Sequence, residues 1–229
     1  ARVEQLDRGA VEVPLPHRIR QHEGVPRRNG GGGAGIHIEI PRNFFIEHIA
    51  RTGHHDDGGR LAVGMVFLPR TDLAAQERCR CIVEEEILAF GHFIYGWRQV
   101  PVDTGALGQK AIATRPEIEQ IMFSMPTDIS EEEAERQLYL VRRRIEKAVI
   151  QDLISDFYIC SLSTRSIIYK GMFLAEVLSD FYLDLKDERF ISRYAIFHQR
   201  FSTNTAPSWD LSQPFRSIAH NGEINTLKG

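Results

Sequence analysis

Apolar and polar residues alternate or cluster along the chain in patterns that predict strands. The run "IHIEI" alternates at a period of two and is stopped by Pro41, which predicts a half-buried strand. The run "LAVGMVFLP" is apolar throughout, which is typical of a strand that is buried on both faces. We predict further strands at "GWRQVPV", "IEQIMFSM" and "ISRYAIFH", and a last one, with a Gly turn inside it, at "FRSIAHNGEI".

Helical spacing is clearest after Ser130. Ser130 and Glu133 have the spacing of a capping box, in which the two side chains bond to each other's backbone N–H groups. Behind this box, apolar residues recur at intervals of three and four, as on the buried face of a helix. These residues are Leu138, Val141, Ile145 and Val149. A second long helix is predicted from Asp72 to about Phe90, and short ones at "NFFIEHIA" and "FLAEVLSDFY".

The arrangement of these segments predicts the fold class. "DFYICSLS" and "RSIIYKG" are two β-rich runs separated by a short Ser/Thr turn, which suggests a hairpin. Strands in hairpins mixed with two long helices indicate an α+β layered domain. Residues 1–35 differ, because prolines and the glycine run at 30–33 replace any hydrophobic periodicity, so we predict loop there.

Composition narrows the function classes. The chain has 229 residues, 42% hydrophobic and 26% charged, with a net charge of −3, so we expect neither a nucleic-acid-binding nor a membrane-binding protein. The cluster "RRR" at 142–144 is surrounded by acidic residues, which favours a solvated helix face over a phosphate site. No apolar run approaches ~18 residues, and no signal-peptide pattern opens the chain. Three cysteines, an odd number, indicate reduced thiols and a cytoplasmic protein.

The closing stretch of the chain is dense in amides, hydroxyls and glycine. Arg200 follows a predicted strand, where a guanidinium can bind a carboxylate through two parallel hydrogen bonds. Asn221 and Gly222 follow the next one, and a side-chain amide beside a glycine N–H can provide two donors to a developing oxyanion. The alternative interpretation, that these are turn residues at strand ends, stays open on the residues alone.

Other constellations give weaker signals. Ser202, His198, His220 and Asp210 could form a triad, but no G-x-S-x-G nucleophile elbow accompanies them. The run "HHDD" at 54–57 has no second half with metal-ligand spacing, so we favour a loop.

Two further motifs receive structural interpretations. Cys79 and Cys81 lie two positions apart in a predicted helix and do not face each other, so they are interpreted as structural. The run "GGGGAG" at 30–35 lacks the Lys-Ser/Thr of a P-loop. We expect it to allow a close-packed turn into the first strand.

The closing stretch "FHQRFSTNTAPSWDLSQPFRSIAHNGEINTLKG" resembles the type 2 glutamine amidotransferase domain of the glutamate synthase large subunit. "LAVGMVFLP", "GWRQVPVDTGALGQKA", "QLYLVRRRIE" and "DFYICSLSTRSIIYKG" are similar to that family in the same order, and their wording favours the bacterial type. The resemblance covers residues 30–229 and implies part of an amidotransferase domain there. It leaves 1–29 as a poorly matching, loop-like or disordered segment.

The resemblance implies an N-terminal-nucleophile hydrolase with a four-layer αββα sandwich, incomplete at both ends. L-glutamine would be hydrolysed to glutamate and ammonia, and the ammonia would be passed to 2-oxoglutarate. Arg200 would bind the α-carboxylate of glutamine, Thr203 would line its pocket, and Asn221 with Gly222 would form the oxyanion hole. No cofactor or metal is implied for this segment. FMN, an iron–sulfur cluster, further domains and a small electron-donating subunit are implied for the longer parent.

The sequence departs from the family pattern at the nucleophile. The family uses an N-terminal cysteine, whereas residue 1 is alanine, the first cysteine is Cys79, and Gly32 stands where the family has Asp in "GDGAGI". The resemblance therefore implies a fragment with no nucleophile, and negligible glutaminase activity for this chain alone. Alternatives are a non-catalytic, amidotransferase-like glutamine-binding or scaffold domain, and a type 2 amidotransferase of purine or amino-sugar synthesis.

Overall fold

The computed structural model describes residues 2–5, 13–14, 32–199 and 207–216. In chain order the strands are β1 (Arg2–Gln5), β2 (Val13–Pro14), β3 (Ala34–Glu39), β4 (Arg60–Leu68), β5 (Phe93–Gln99), β6 (Glu117–Met125), β7 (Tyr158–Ser163), β8 (Ser166–Gly171), β9 (Ile191–Ser192) and β10 (Tyr194–His198). The α-helices are α1 (Arg42–Arg51), α2 (Leu73–Ala89), α3 (Gln109–Ala113), α4 (Glu131–Gln151) and α5 (Leu178–Phe181). Short 3₁₀ helices lie at Thr104–Ala106, Ala175–Val177 and Leu183–Lys186.

The described residues form two compact units. One comprises the described parts of 1–39, 101–115 and 168–229, and the other comprises 40–100 and 116–167. Every strand pair whose register is described is antiparallel, and helices accompany the sheets. This confirms the mixed helix-and-sheet class. None of the helices in the described part is long and apolar enough to cross a membrane.

The unit of residues 40–100 and 116–167 contains a sheet in the order β5-β6-β4-β7. Strand β4 is central, and all of its residues after Arg60 are buried, as its unbroken apolar run predicts. Helices α2 and α4 pack against each other, linked by ion pairs from Arg78 to Asp152 and from Arg144 to Glu86, both at 2.7 Å. Their apolar residues join one face of the sheet in a single hydrophobic core.

Both long helices begin where local sequence signals place them. Asp72 accepts a hydrogen bond from the Ala75 N–H at the start of α2, and Ser130 accepts one from the Glu133 N–H at the start of α4. These caps occupy backbone donors that the first helical turn leaves without partners. The predicted apolar face of α4, from Leu138 to Val149, is buried at all four positions.

The predicted hairpin between β7 and β8 is wrong. Strand β7 is an edge strand that pairs with β4, whereas β8 belongs to the other sheet beside β3. Tight two-residue hairpins need residues with positive φ, and neither Thr164 nor Arg165 has one. Instead, Glu135 of α4 accepts hydrogen bonds from the Thr164 N–H and hydroxyl, both at 2.7 Å. The turn is thereby fixed to the helix, and the chain continues into a second sheet.

The unit that contains the chain ends has a sheet in the order β1-β10-β3-β8 and a two-stranded sheet of β2 and β9. The period-two prediction for "IHIEI" is confirmed in β3, because Ile36 and Ile38 are buried while His37 and Glu39 are partly exposed. The predicted strand "ISRYAIFH" is divided at Arg193 into β9 and β10. The predicted helix "FLAEVLSDFY" consists of a 3₁₀ turn followed by α5.

Candidate functional site

The four residues assigned to glutamine by resemblance, Arg200, Thr203, Asn221 and Gly222, lie outside the described residues. So does nearly all of the predicted strand "FRSIAHNGEI", together with Ser202 and His220. The structure does describe the chain on either side of residues 200–206 and up to residue 216. Strand β10 ends at His198, two residues before Arg200. Residues 207–216, here called the anchored segment, begin four residues after Thr203 and end five residues before Asn221.

Trp209 anchors this segment to its own unit. The residue is buried, and its indole Nε1 donates a hydrogen bond to the Ala111 carbonyl of α3 at 3.2 Å. Its ring lies 6.1 Å from that of Phe173 and 5.6 Å from that of Phe181, centroid to centroid. Burial of a large aromatic ring with its polar atom satisfied is a strong positional constraint. The anchored segment is therefore held at a defined place in the unit.

Two glycines allow the anchored segment to approach the sheet. A Cβ on Gly171, the last residue of β8, would lie 2.4 Å from Cζ3 of Trp209. A Cβ on Gly35 of β3 would lie 2.8 Å from the Gln213 carbonyl oxygen. Both distances are shorter than any side chain tolerates, so glycine is required at each position. The expected close packing at "GGGGAG" is thus confirmed for Gly35, and for Gly32, whose Cβ would lie 2.7 Å from the Phe173 carbonyl oxygen.

Gly35 also joins the two flanks of residues 200–206. It pairs in register with His198 at the end of β10, and its Cα faces the carbonyl of Gln213 in the anchored segment. The end of β10, which precedes Arg200 and Thr203, and the anchored segment, which follows them, therefore both lie next to Gly35. The flanks of the candidate site are close together in the folded unit.

Lys170 makes a further contact with the anchored segment. Lys170 is fully buried in β8, and its Nζ donates a hydrogen bond to the Asp210 carbonyl oxygen at 2.6 Å. The ammonium also lies 4.9 Å from the centroid of the Phe215 ring, within the range of cation–π attraction. The sequence interpretation missed Lys170. The available signal was a single charged residue inside the otherwise apolar run "RSIIYKG".

The run "HHDD" at 54–57 serves the packing of its own unit. Asp56 pairs with Arg42 at 3.0 Å, and Asp57 accepts hydrogen bonds from the Tyr95 hydroxyl at 2.6 Å and the Ser124 hydroxyl at 2.9 Å. The bond from Tyr95 contributes most to holding the pKa of Asp57 below its ordinary value. Within the described ranges, no three His, Cys, Asp or Glu side chains are grouped as metal ligands would be.

Two of the three cysteines do not have the surroundings of a thiolate nucleophile. Cys79 is fully buried in α2, and burial raises the pKa of its thiol to about 11, with a smaller contribution from nearby Asp152. Cys160 of β7 is also buried, and Cys81 is partly buried in α2. Reactive cysteines instead have lowered pKa values and exposed sulfur atoms. Cys79 and Cys160 are therefore core residues. For Cys79 this confirms the structural interpretation made from the sequence.

Comparison with known proteins adds a family to this geometry. The chain is 62% identical over 210 residues to the glutamate synthase [NADPH] large chain of Azospirillum brasilense, covering 91% of this chain and 14% of that protein. It is 45% identical over 202 residues to ferredoxin-dependent glutamate synthase 2 of Synechocystis, covering 88% and 13%. It is 42% identical over 203 residues to the chloroplastic ferredoxin-dependent glutamate synthase of Spinacia oleracea, covering 88% and 12%.

The chain thus spans about one seventh of the length of the first of these relatives and a slightly smaller share of the length of the other two. The family model for "Glutamine amidotransferases class-II" matches residues 15–229, which include the anchored segment and all four residues assigned to glutamine. The resemblance seen in the sequence motifs is confirmed, and the chain belongs to the class-II glutamine amidotransferases.

Proposed function

We propose that this chain is part of the glutaminase domain of a glutamate synthase and carries out no hydrolysis by itself. L-glutamine would be hydrolysed at its side-chain amide to glutamate and ammonia, and the ammonia would be transferred to 2-oxoglutarate to form a second glutamate. The observation that carries the proposal is the 62% identity to a glutamate synthase large chain across 91% of this chain. A class-II amidotransferase model that matches residues 15–229 supports the same chemistry.

We propose the following roles for the four assigned residues. Arg200 binds the α-carboxylate of glutamine through its planar guanidinium, and Thr203 lines the same pocket. Asn221 and Gly222 donate hydrogen bonds to the oxyanion that forms when the side-chain amide is attacked. The anchored segment lies between these two pairs in the sequence and is fixed to the sheet. A segment that is held in place and connects the two pairs is compatible with both pairs contributing to one pocket.

The proposed fold is the four-layer αββα sandwich of the N-terminal-nucleophile hydrolases. Strand β4 supports it, because Ala62, Val66 and Leu68 face the core that contains α2 and α4, while the alternate residues Val63, Met65 and Phe67 are also buried. A sheet that is buried on both faces needs a second layer besides its helices. The sandwich arrangement supplies that layer with another sheet.

The longer relatives suggest the setting of this reaction. We propose that the complete protein carries further domains with FMN and an iron–sulfur cluster, which the residues described here neither bind nor require. A small electron-donating subunit would complete the assembly in the cytoplasm. These proposals follow from the similarity to glutamate synthases, of which the chain covers a small part.

The burial of the cysteines favours one alternative function, a non-catalytic domain that binds glutamine. Attack on the amide requires an accessible nucleophile, and Cys79 and Cys160 lie in the core. Binding by Arg200 is common to both functions, whereas product release belongs only to the glutaminase. Release of ammonia and glutamate by the complete protein therefore separates them.

Calorimetric titration of the chain with L-glutamine tests the proposed pocket. We expect measurable binding that Arg200→Ala weakens by about tenfold to a hundredfold, the usual effect of losing a hydrogen bond to a charged group. Arg200→Lys keeps the charge but not the bidentate geometry, so an intermediate affinity is expected. Absence of binding to the unmodified chain, or equal affinity in Arg200→Ala, would overturn the assignment.

A further inference from the structure

We infer that Lys170 is a positioning residue for glutamine recognition, acting through the anchored segment. This inference rests on the proposed function and deepens it by naming the residue that holds the two parts of the pocket in register. Lys170 lies in β8 and contacts the anchored segment. Its effect would be transmitted through residues 207–216, which it contacts at Asp210 and Phe215.

The burial of Lys170 is the first observation behind the inference. Lysine is almost never fully buried unless its ammonium is paired, because removal of the charge from water is costly. Lys170 is fully buried, and its Nζ donates to the Asp210 carbonyl at 2.6 Å and faces the Phe215 ring at 4.9 Å. A leucine or valine would fill a strand position of this kind without that cost. A cation at this position therefore indicates a specific role.

Two described contacts of Lys170, with Asp210 and with Phe215, span most of the anchored segment. Asp210 lies near its beginning and Phe215 near its end, so a single ammonium constrains both halves of residues 207–216. Trp209, just before Asp210, meets the sheet at Gly171, and Gln213, between Asp210 and Phe215, meets it at Gly35. The apolar contacts fix how closely the segment packs. The directed hydrogen bond from Nζ additionally fixes its position along the sheet, because hydrogen bonds weaken steeply when misaligned.

The position of the anchored segment matters because its connections to the assigned residues are short. Thr203 is four residues before it and Asn221 is five residues after it. Four or five residues span at most roughly 13–18 Å even when fully extended. A shift of the segment therefore moves both connections, and misplacement of a binding or catalytic group by about 1 Å can cost about a hundredfold in rate.

The experiment is calorimetric titration of the 229-residue chain with L-glutamine, for the unmodified chain and three variants. Lys170→Met keeps the length and apolar stem but removes the ammonium, and we expect at least about a tenfold loss of affinity. Lys170→Gln keeps a donor without the charge and should fall between the two. Tyr169→Phe is the matched control, since it removes a buried hydroxyl that donates to Asp184 from the neighbouring position of β8. It should lower the melting temperature but leave glutamine affinity unchanged.

A fourth variant, Phe215→Leu, tests the same contact from the segment and keeps the inference testable if Lys170→Met does not fold. It removes the ring that faces the ammonium, and a several-fold loss of affinity is expected. Equal affinity in the unmodified chain and in the variants that fold would overturn the inference while leaving the glutamine site intact. An equal loss in Tyr169→Phe would also overturn it, since the effect would then be one of stability. No binding by the unmodified chain would instead overturn the proposed function.

Discussion

Tyr95 donates its hydroxyl hydrogen bond to Oδ1 of Asp57 at a distance of 2.6 Å. The same oxygen accepts from the Ser124 hydroxyl at 2.9 Å and from the Gly59 N–H at 2.8 Å, so one carboxylate joins the polar loop before β4 to β5 and β6. Three donors on one oxygen favour its ionised form. This is why the pKa of Asp57 is lowered, with the bond from Tyr95 as the largest cause.

Tyr95→Phe should lower the free energy of unfolding by about 1 kcal/mol at pH 7, because the variant loses a hydrogen bond to a carboxylate. The loss should shrink in acid. A carboxyl with a lowered pKa in the folded state stabilises the fold above its unfolded pKa of about 3.9, and that stability is lost as the pH falls through the folded value. Urea unfolding at pH 7 and pH 3 measures both effects. Tyr139→Phe, at an exposed tyrosine of α4, is the control, and an equal loss in the two variants would contradict the prediction.

His92 predicts a second pH effect, located in the same unit. It is buried, its ring stacks 5.9 Å from Phe123 and 6.2 Å from Phe90, and neither ring nitrogen has a hydrogen-bond partner among the described residues. Burial lowers the pKa of His92. Below the ordinary histidine pKa of about 6.5 the unfolded chain takes up a proton that the folded chain resists, so stability is lost as the pH falls.

His92→Phe removes this pH dependence and keeps the aromatic stack. We expect the variant to be more stable than the unmodified chain at pH 5, with a smaller difference at pH 8. Chemical unfolding at the two pH values measures the difference. His55→Gln, at an exposed position in the loop before β4, is the control, and its stability relative to the unmodified chain should be the same at pH 5 and pH 8. A variant that is no more stable at pH 5 than at pH 8, relative to the unmodified chain, would count against a neutral buried His92.

Gly171→Ala tests the close approach of the anchored segment to the sheet. The added Cβ would lie 2.4 Å from Trp209 and 2.5 Å from Cε1 of Phe173, so the indole must move. Overpacking of this kind typically lowers the free energy of unfolding by about 1–3 kcal/mol. The fluorescence of Trp209 should also change, and it is measured in a Trp97→Phe background, where Trp209 is the remaining tryptophan. Gly108→Ala is the control, because nothing lies within 4 Å of its Cβ position. Unchanged Trp209 emission in Gly171→Ala would contradict the packing described.

The buried cysteines predict the outcome of an activity assay on this chain. Burial raises the pKa of the Cys79 thiol to about 11, so Cys79 provides no thiolate at neutral pH, and Cys160 is buried in the core, where substrate does not reach its sulfur. We expect no release of ammonia or glutamate from L-glutamine above that of the Arg200→Ala variant. Release that depends on Arg200 and is abolished by Cys160→Ala would show that this cysteine acts as a nucleophile.

Local signals in the sequence predicted the elements whose boundaries depend on nearby residues. Asp72 and Ser130 mark the starts of α2 and α4 because a cap acts within three residues of its position. The hairpin prediction failed because it required knowledge of which sheet each strand joins. The turn between the two strands is held by Glu135, which lies 29 residues before Thr164. Long-range pairing of this kind leaves no local trace.

The site was predicted unevenly for the same reason. The roles of Arg200, Thr203, Asn221 and Gly222 came from resemblance and stay predictions, since these residues lie outside the described ranges. Lys170 was missed because its significance depends on a carbonyl 40 residues later in the chain. A charged residue in an apolar strand could have drawn attention to it, but its partner could be identified only from the fold.

A pocket for glutamine in this chain should distinguish the two enantiomers of the amino acid. The measurement is a calorimetric titration of the unmodified chain with L-glutamine and, in parallel, with D-glutamine. A pocket that fixes both the α-carboxylate and the side-chain amide should bind the L-enantiomer and bind the D-enantiomer at least about tenfold more weakly. Equal affinity for the two enantiomers, or no binding of either, would contradict the account.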